Sequence, residues 1–180
     1  MTPKNKDLLT SEYMLLGLLD QKPAHGYELF KRIADPEDVG MIWRVKMSNL
    51  YAQLNKLERD GMISGTFQPG SVHPSRVEFT ISKKGKDIYE QWLTTIVTHP
   101  RDLRPLFLLK LFFMQGRADA DALSAFIKRQ LGECERWLAE TQKNMQSIDP
   151  ANELKTDLLS YRHLVIRSQV DWLKWLLDRS

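Results

Sequence analysis

The 180 residues are 42% hydrophobic and 27% charged, with a net charge of +3, which excludes a disordered or fibrous chain and supports a packed core. There are 13 basic against 12 acidic residues up to Thr98 and 13 against 11 beyond it, so no basic arm or acidic tail exists and composition alone singles out no polyanionic partner. One cysteine, Cys134, excludes an internal disulfide and fits a reducing compartment, so the cytoplasm is the expected location.

The opening stretch, MTPKNKDLLTSEYMLLGLLDQKP, has the basic-then-apolar order of a secretory signal. Asp7, Glu12 and Asp20 interrupt it, and no small-residue cleavage site follows, so a signal is not expected. No apolar run approaches the roughly 18 residues of a membrane span. Ser11 is placed to cap a first helix through Asp20, with Met14, Leu15, Leu18 and Leu19 at helical spacing and Pro23 just past its end. A second helix over 26–34 buries Leu29, Phe30 and Ile33, and the acidic DPEDVG that follows forms a turn.

The next helix runs from about 46 to 60, with Gly61 where a left-handed C-terminal cap is favoured. Stepping 100° per residue puts Met47, Leu50, Leu54 and Leu57 on one face, which is the predicted core side. Ser48, Ala52, Asn55 and Arg59 fall opposite, flanked by Tyr51 on one side and by Asn49 and Lys56 on the other. Such a face is often no more than a wet surface. Amides, a hydroxyl, a small methyl and long cations are also the groups that reach base edges and phosphates in a major groove.

The period then changes to alternation. Residues 62–68 and 76–82 read as two strands, with Val77, Phe79 and Ile81 on one side, joined by a flexible tip PGSVHPS. Ser82 caps a helix over 83–97 that buries Ile88, Trp92 and Ile96. Helix, turn, helix and hairpin in this order make a winged helix-turn-helix, whose second helix enters the groove while the wing touches the backbone. Arg76 and the cluster Lys83, Lys84 and Lys86 concentrate positive charge on this part of the chain. Lysines at a helix start oppose the dipole, which suggests a use elsewhere or a solubilising role.

THPRDLRP, with two prolines, marks a boundary at 98/99, giving a head over 1–98 and a tail over 99–180. The tail reads as helix only: a short one over 106–114, a long one over 119–148, and a last one over 153–178. In the long one Ile127, Leu131, Cys134, Leu138, Thr141, Met145 and Ile148 alternate by four and three, a heptad seam. The last helix carries two apolar stripes. The first is Leu154, Leu158, Tyr161, Val165, Trp172 and Trp175; the second is Leu159, Ile166, Val170, Leu173 and Leu177. An antiparallel hairpin buries one stripe, so the other calls for a second copy of the chain or for the head. The expected fold is therefore mainly α: a winged helix-turn-helix with a small β-hairpin wing, followed by an antiparallel coiled-coil dimerisation domain. Leu131, Leu138, Leu158, Tyr161, Val165, Ile166, Val170, Trp172 and Leu173 are the expected dimer contacts.

These residues resemble the PadR-like transcriptional regulators. LLGLLDQKPAHGYELFKRI, 15–33, resembles the family's leucine-rich first helix and His-Gly-Tyr-Glu-Leu segment; WRVKMSNLYAQLNKLERDGMI, 43–63, resembles its Trp, Leu-Tyr and Leu-x-x-Leu-Glu block; FTISKKG, 79–85, resembles the strand closing the wing. The resemblance covers residues 8–98 in order and spacing. The tail is similar to the longer-tailed branch, which includes virulence activators and the phenolic acid response repressor. The resemblance implies a bacterial, homodimeric DNA-binding regulator, with Tyr51 contacting the phosphate backbone, Ser48, Asn49 and Lys56 on the recognition helix and Arg76 on the wing. Phe79 stands where the family often has tyrosine, and Val77 and Glu78 replace residues commonly basic or neutral.

The expected DNA contacts are phosphate attraction by Lys46, Lys56, Arg59, Arg76 and Lys83, base reading by Ser48, Asn49 and Asn55, and Tyr51 on the backbone. The four histidines are far apart with no second ligand at metal spacing, so no metal or other cofactor is expected. His25 reads as a helix-end residue. Cys134 reads as a small buried seam residue rather than a redox sensor. No phosphate loop, nucleophile elbow or paired carboxylates point to an enzyme. Trp92, Trp137, Trp172 and Trp175, with Phe107, Phe112 and Phe113, read first as core and alternatively as a pocket for a small aromatic effector. A helical interaction module without DNA binding is the rival reading.

Overall fold

Apolar side chains crowd every side of the first helix, and a helix of that kind is buried all round. In the computed structural model, which describes residues 8–69, 76–117, 119–149 and 152–179, α1 spans Thr10–Gln21, with Met14, Leu15, Leu16, Leu18 and Leu19 all buried. It packs against α3, α4 and β3, introduced below. Ser11, the predicted cap, lies inside the first turn and is buried. Leu9 holds the cap position instead, its N–H donated to Glu12 Oε2 at 2.8 Å. A carboxylate three residues on satisfies an orphan helix-end donor as a capping hydroxyl would.

Next comes a two-residue strand, β1 (Ala24–His25), and then α2 (Gly26–Ala34), with Leu29 and Ile33 buried and Phe30 half-buried. The strand is too short to show a period of its own. After α2, Arg32 grips Asp38 through Nε and Nη2, at 2.6 and 3.1 Å, fixing the turn that leads to α3 (Met47–Arg59). β2 (Ile63–Gln68) and β3 (Arg76–Ile81) form the hairpin, pairing Ile63 with Ile81 through Gln68 with Arg76. β1 adds to the other edge of β3, so the sheet runs β1-β3-β2. The expected tip falls, from residue 70 to 75, outside the described residues.

α4 (Lys83–Thr94) starts at Ser82, whose hydroxyl accepts the Gly85 N–H at 3.1 Å. Its buried residues are Tyr89 and Leu93, and Val97 beyond its end, with Ile88, Trp92 and Ile96 only half-buried; the predicted face is off by one residue. The cause is Trp92, whose flat ring is satisfied without full burial. It stacks on Tyr13, centroids 4.6 Å apart and 7° from parallel, and Lys110 Nζ lies 4.7 Å from its centroid.

Two compact units result. The first comprises Met1–Thr95 with Leu108–Phe113, and the second Ile96–Phe107 with Met114–Ser180. Most of α5 (Leu108–Gln115) thus belongs with the head, whereas the sequence reading assigned it to the tail. Gly17 is the reason: a Cβ there would stand 2.6 Å from the Phe113 ring, so the missing side chain makes the seat for α5 on α1. Phe113 also meets Tyr89 edge-on at 5.8 Å. Buried Lys110 donates to the Trp92 and Thr95 carbonyls, both at 2.5 Å, tying α5 to the end of α4, and burial pushes its ammonium down to about 8.

In the second unit a 3₁₀ turn, Pro100–Asp102, and a wider turn, Leu103–Phe107, precede the hairpin of α6 (Ala120–Gln146) and α7 (Glu153–Asp178). Asp119 and Asn152 cap these helices, accepting the Ala122 and Lys155 N–H groups. Phe126, Ile127, Gln130, Cys134, Trp137 and Thr141 are buried on α6, and Ile166, Val170 and Leu173 on α7. Phe107 stacks on Phe126 at 5.4 Å and meets Trp172 edge-on. Gln130 is fully buried, yet its amide is answered on both sides by Val97, whose N–H it accepts at 2.7 Å and whose carbonyl it donates to at 3.0 Å. Ile166, Val170 and Leu173, predicted as dimer contacts, are consumed inside the hairpin, because the second stripe of α7 is the one that faces α6. Leu131, Leu138 and Trp172 are half-buried.

Candidate nucleic-acid interface

The two faces of α3 differ as the angular count requires. Leu50, Leu54 and Leu57 have no exposed surface, while Ser48, Asn49, Tyr51, Ala52, Asn55 and Arg59 are exposed. Met47 departs from the predicted core side and is 39% exposed, because it stands at the first position of the helix, outside the core. The helix ends at Asp60, with Gly61 at φ 70°, the left-handed conformation glycine adopts without strain. Lys84 Nζ donates to the Asp60 carbonyl at 2.7 Å, a cation at the negative end of the helix.

The other end of α3 has neither a side-chain cap nor an acid in its first turn. Its free N–H groups open next to a cleft of about 590 Å³ lined by Ser11, Trp43, Arg44, Val45, Lys46, Ser48, Asn49 and Gln53. Exposed Arg44 and Lys46 add their charge to the positive end of the dipole, so this end of α3 attracts an anion. Arg44 was not among the predicted contacts; a cation two residues before a helix cap is the signal that would have found it.

One of the expected phosphate contacts, Lys56, and two lysines of the cluster after the wing, Lys84 and Lys86, have structural partners. Lys56 Nζ is 2.6 Å from Glu12 Oε1, a carboxylate with no exposed surface, and is held against α1 with 35% of its own side chain exposed. Lys84 caps α3, and Lys86 pairs with Asp20 at 3.1 Å. Lys46, Arg59, Arg76 and Lys83 remain exposed. All three lysines at the start of α4 are exposed, and two of them, Lys84 and Lys86, also have partners elsewhere.

Tyr51 lies against the start of α2. A Cβ at Gly26 would stand 2.7 Å from Tyr51 Cε1 and 3.1 Å from its hydroxyl, so glycine there is what lets the ring lie flat with its hydroxyl at a helix N-terminus. His25 caps that helix: its N–H donates to Glu28 Oε2, and its Nδ1 is 3.1 Å from the Val77 carbonyl on β3. The wing joins the same surface, since Glu58 Oε1 on α3 accepts the Gly65 N–H on β2 at 2.9 Å.

Residues 15–91 match the model of the transcriptional regulator PadR-like family. Over this stretch the chain is similar to the PadR-like transcriptional regulators. A curated relative, the negative transcriptional regulator PadR of Bacillus subtilis strain 168, is 27% identical over 174 residues, covering 92% of each chain. The solved Bacillus subtilis PadR in complex with operator DNA is similar in fold, at TM-score 0.50 and 21% identity over 97% of this chain and 100% of that one. The same Bacillus protein in complex with p-coumaric acid is 23% identical over 94% of each chain, at TM-score 0.42. Among the described residues no helix is long and apolar enough to cross a membrane, and no group of His, Cys, Asp and Glu could hold a metal ion.

The aromatic residues that could line an effector pocket are divided between the two units. Trp92, Phe112 and Phe113 lie in the first unit, and Phe107, Trp137, Trp172 and Trp175 in the second. Cys134 is buried beside Gln130, and burial pushes its thiol up to about 11, so it is packing. On the tail, a groove of about 480 Å³ is lined by His99, Pro100, Arg101, Tyr161, Arg162, Val165 and Ile166.

Proposed function

We propose that this regulator binds a near-palindromic duplex site in the bacterial cytoplasm as a homodimer, with α3 of each head, residues 1–98, in successive major grooves. The observation that carries it is the division of α3: three leucines without exposed surface on one side, and an exposed, polar, uncapped and cation-flanked surface on the other. Ser48, Asn49 and Asn55 read bases in this account. Lys46, Arg59, Arg76, Lys83 and Arg44 attract phosphates, and the Tyr51 hydroxyl meets the backbone. Lys56 is left out because Glu12 holds it.

The homodimer is supported by what α7 leaves uncovered within the tail, residues 99–180. Leu154, Leu158, Tyr161 and Leu164 are each 59–71% exposed, and Trp175 is 49% exposed, with Val165 half-buried among them. A contiguous apolar stripe of this size marks an association surface. Titration of the purified chain against duplex fragments at several salt concentrations tests the reading. Arg59→Ala should lower affinity for all duplexes and flatten the salt dependence, whereas Asn49→Ala should cost about 1–3 kcal/mol at one base position. Equal losses on specific and random duplex for Asn49→Ala would sink its assignment.

A second reading, a regulator gated by a small aromatic acid, is favoured by the tail groove, where Arg101 and Arg162 stand beside the Tyr161 ring. Guanidinium groups next to an aromatic face suit a carboxylate on a ring. Quenching of tryptophan fluorescence by aromatic carboxylates, abolished in Arg162→Ala, would support it; equal quenching in that variant would remove the groove from consideration.

A further inference from the structure

The wing carries an exposed apolar pair that the contacts above do not use. Phe67 on β2 and Val77 on β3 are direct cross-strand partners, and they are 64% and 40% exposed. Alternation along the strands puts them on the side of the sheet that also presents Ile63, Gly65, Phe79 and Ile81, but beyond the point where the core ends, since Ile63 and Phe79 are buried. That side is turned toward α3: Glu58 bonds the Gly65 N–H, and a Cβ at Gly65 would stand 2.7 Å from Glu58 Oε1 and 2.8 Å from Val77 Cγ1. The pair therefore continues the α3 surface outward along the wing.

Charge on the wing is sparse, and Arg76 is the one cation in the sequences of β2 and β3. Gln68 and Arg76, the next cross-strand pair, are exposed, and the carboxylate of Glu78 accepts the Gln68 amide at 3.1 Å. A wing this poor in cations cannot hold a phosphate backbone by charge alone. An exposed aromatic ring beside a valine can, in contrast, close on the apolar sugar edges of a minor groove or wedge at a base step, as apolar side chains do in proteins that use that groove.

We propose that Phe67, backed by Val77, is a DNA-positioning residue of the wing, contacting the minor groove next to the major groove entered by α3. The inference rests on the DNA-binding reading above. It assigns the wing a contact that releases no counterion, so the wing adds affinity that salt does not screen.

The probe is a duplex recovered by the full-length protein from a random pool at physiological salt, with affinity measured as a function of salt. Phe67→Ala should bind about tenfold more weakly at every salt concentration, with the slope of log affinity against log salt unchanged. Phe67→Leu should recover most of the affinity, and Arg76→Ala should reduce the slope by about one. Because Phe67 is exposed, the thermal midpoint of Phe67→Ala should match that of the parent. Wild-type affinity in Phe67→Ala, or a change of oligomeric state in place of a change in DNA affinity, would overturn the assignment while leaving the DNA-binding reading intact. Recovery of no duplex by the parent chain would overturn both.

Discussion

Glu12 carries a carboxylate where no surface is exposed, and among the described residues the Lys56 ammonium and the Leu9 N–H answer it. Removing one member of such a pair leaves a buried, uncompensated charge, which costs far more than the pair contributes when intact. Lys56→Ala should therefore lower the unfolding free energy by about 3 kcal/mol in urea denaturation, with Glu12→Gln/Lys56→Met recovering much of the loss. An unchanged midpoint would mean that Lys56 is free for phosphate after all. Cys134 makes a second residue-scale prediction. Its thiol is buried and pushed up to about 11, against an ordinary value near 9, so the folded state keeps the proton that the unfolded state loses above pH 9. The folded chain should resist alkylation at pH 8–9 and react stoichiometrically once urea is added, and Cys134 should take stability away as the pH rises from 9 toward 11. Rapid labelling of the native chain would contradict this. The two roles were not equally legible in the sequence: Cys134 sits on a seam that periodicity exposes, whereas the partner of Lys56 is 44 positions away and no local pattern points to it.

At the scale of elements, strong periodicity was readable and weak or borrowed structure was not. α2 and α3 lie within a residue of where spacing and caps put them, and Ser82 and Gly61 perform the capping that their types favour. β1 escaped because two residues, Ala24 and His25, become a strand only by pairing with Phe79 and Glu78. The face of α4 was misjudged because Trp92 is apolar in type but stacks on Tyr13 at the border of the core. Placing α5 by chain order gave it to the tail, although Phe113 and Lys110 bind it to α1 and α4. The seat at Gly17 can be tested directly. A methyl there must displace the Phe113 ring, and overpacking of this kind costs about 1–3 kcal/mol. Gly17→Ala should thus lower the thermal midpoint, whereas Gly132→Ala, on α6 with open space around it, should leave the midpoint unchanged or raise it. Equal effects from the two substitutions would contradict the packing described for α5.

For the whole molecule, the two stripes of α7 divide the work. Ile166, Val170 and Leu173 close the hairpin, and Leu154, Leu158, Tyr161 and Leu164 remain outside it. That two stripes exist was visible in the sequence; which of them faces α6 was not, because both have helical spacing and similar hydrophobicity. Leu158→Asp should leave the helix content intact and shift the chain from dimer to monomer in sedimentation equilibrium. A monomeric parent would remove the dimer from the account. The central claim concerns two copies of α3 acting together on DNA, and selection of duplexes from a random pool at physiological salt tests it most directly. The account predicts enrichment of near-palindromic sites whose half-sites lie about 10 base pairs, or a multiple of that, from centre to centre. Enrichment of none, or of sites without two-fold symmetry, would contradict it.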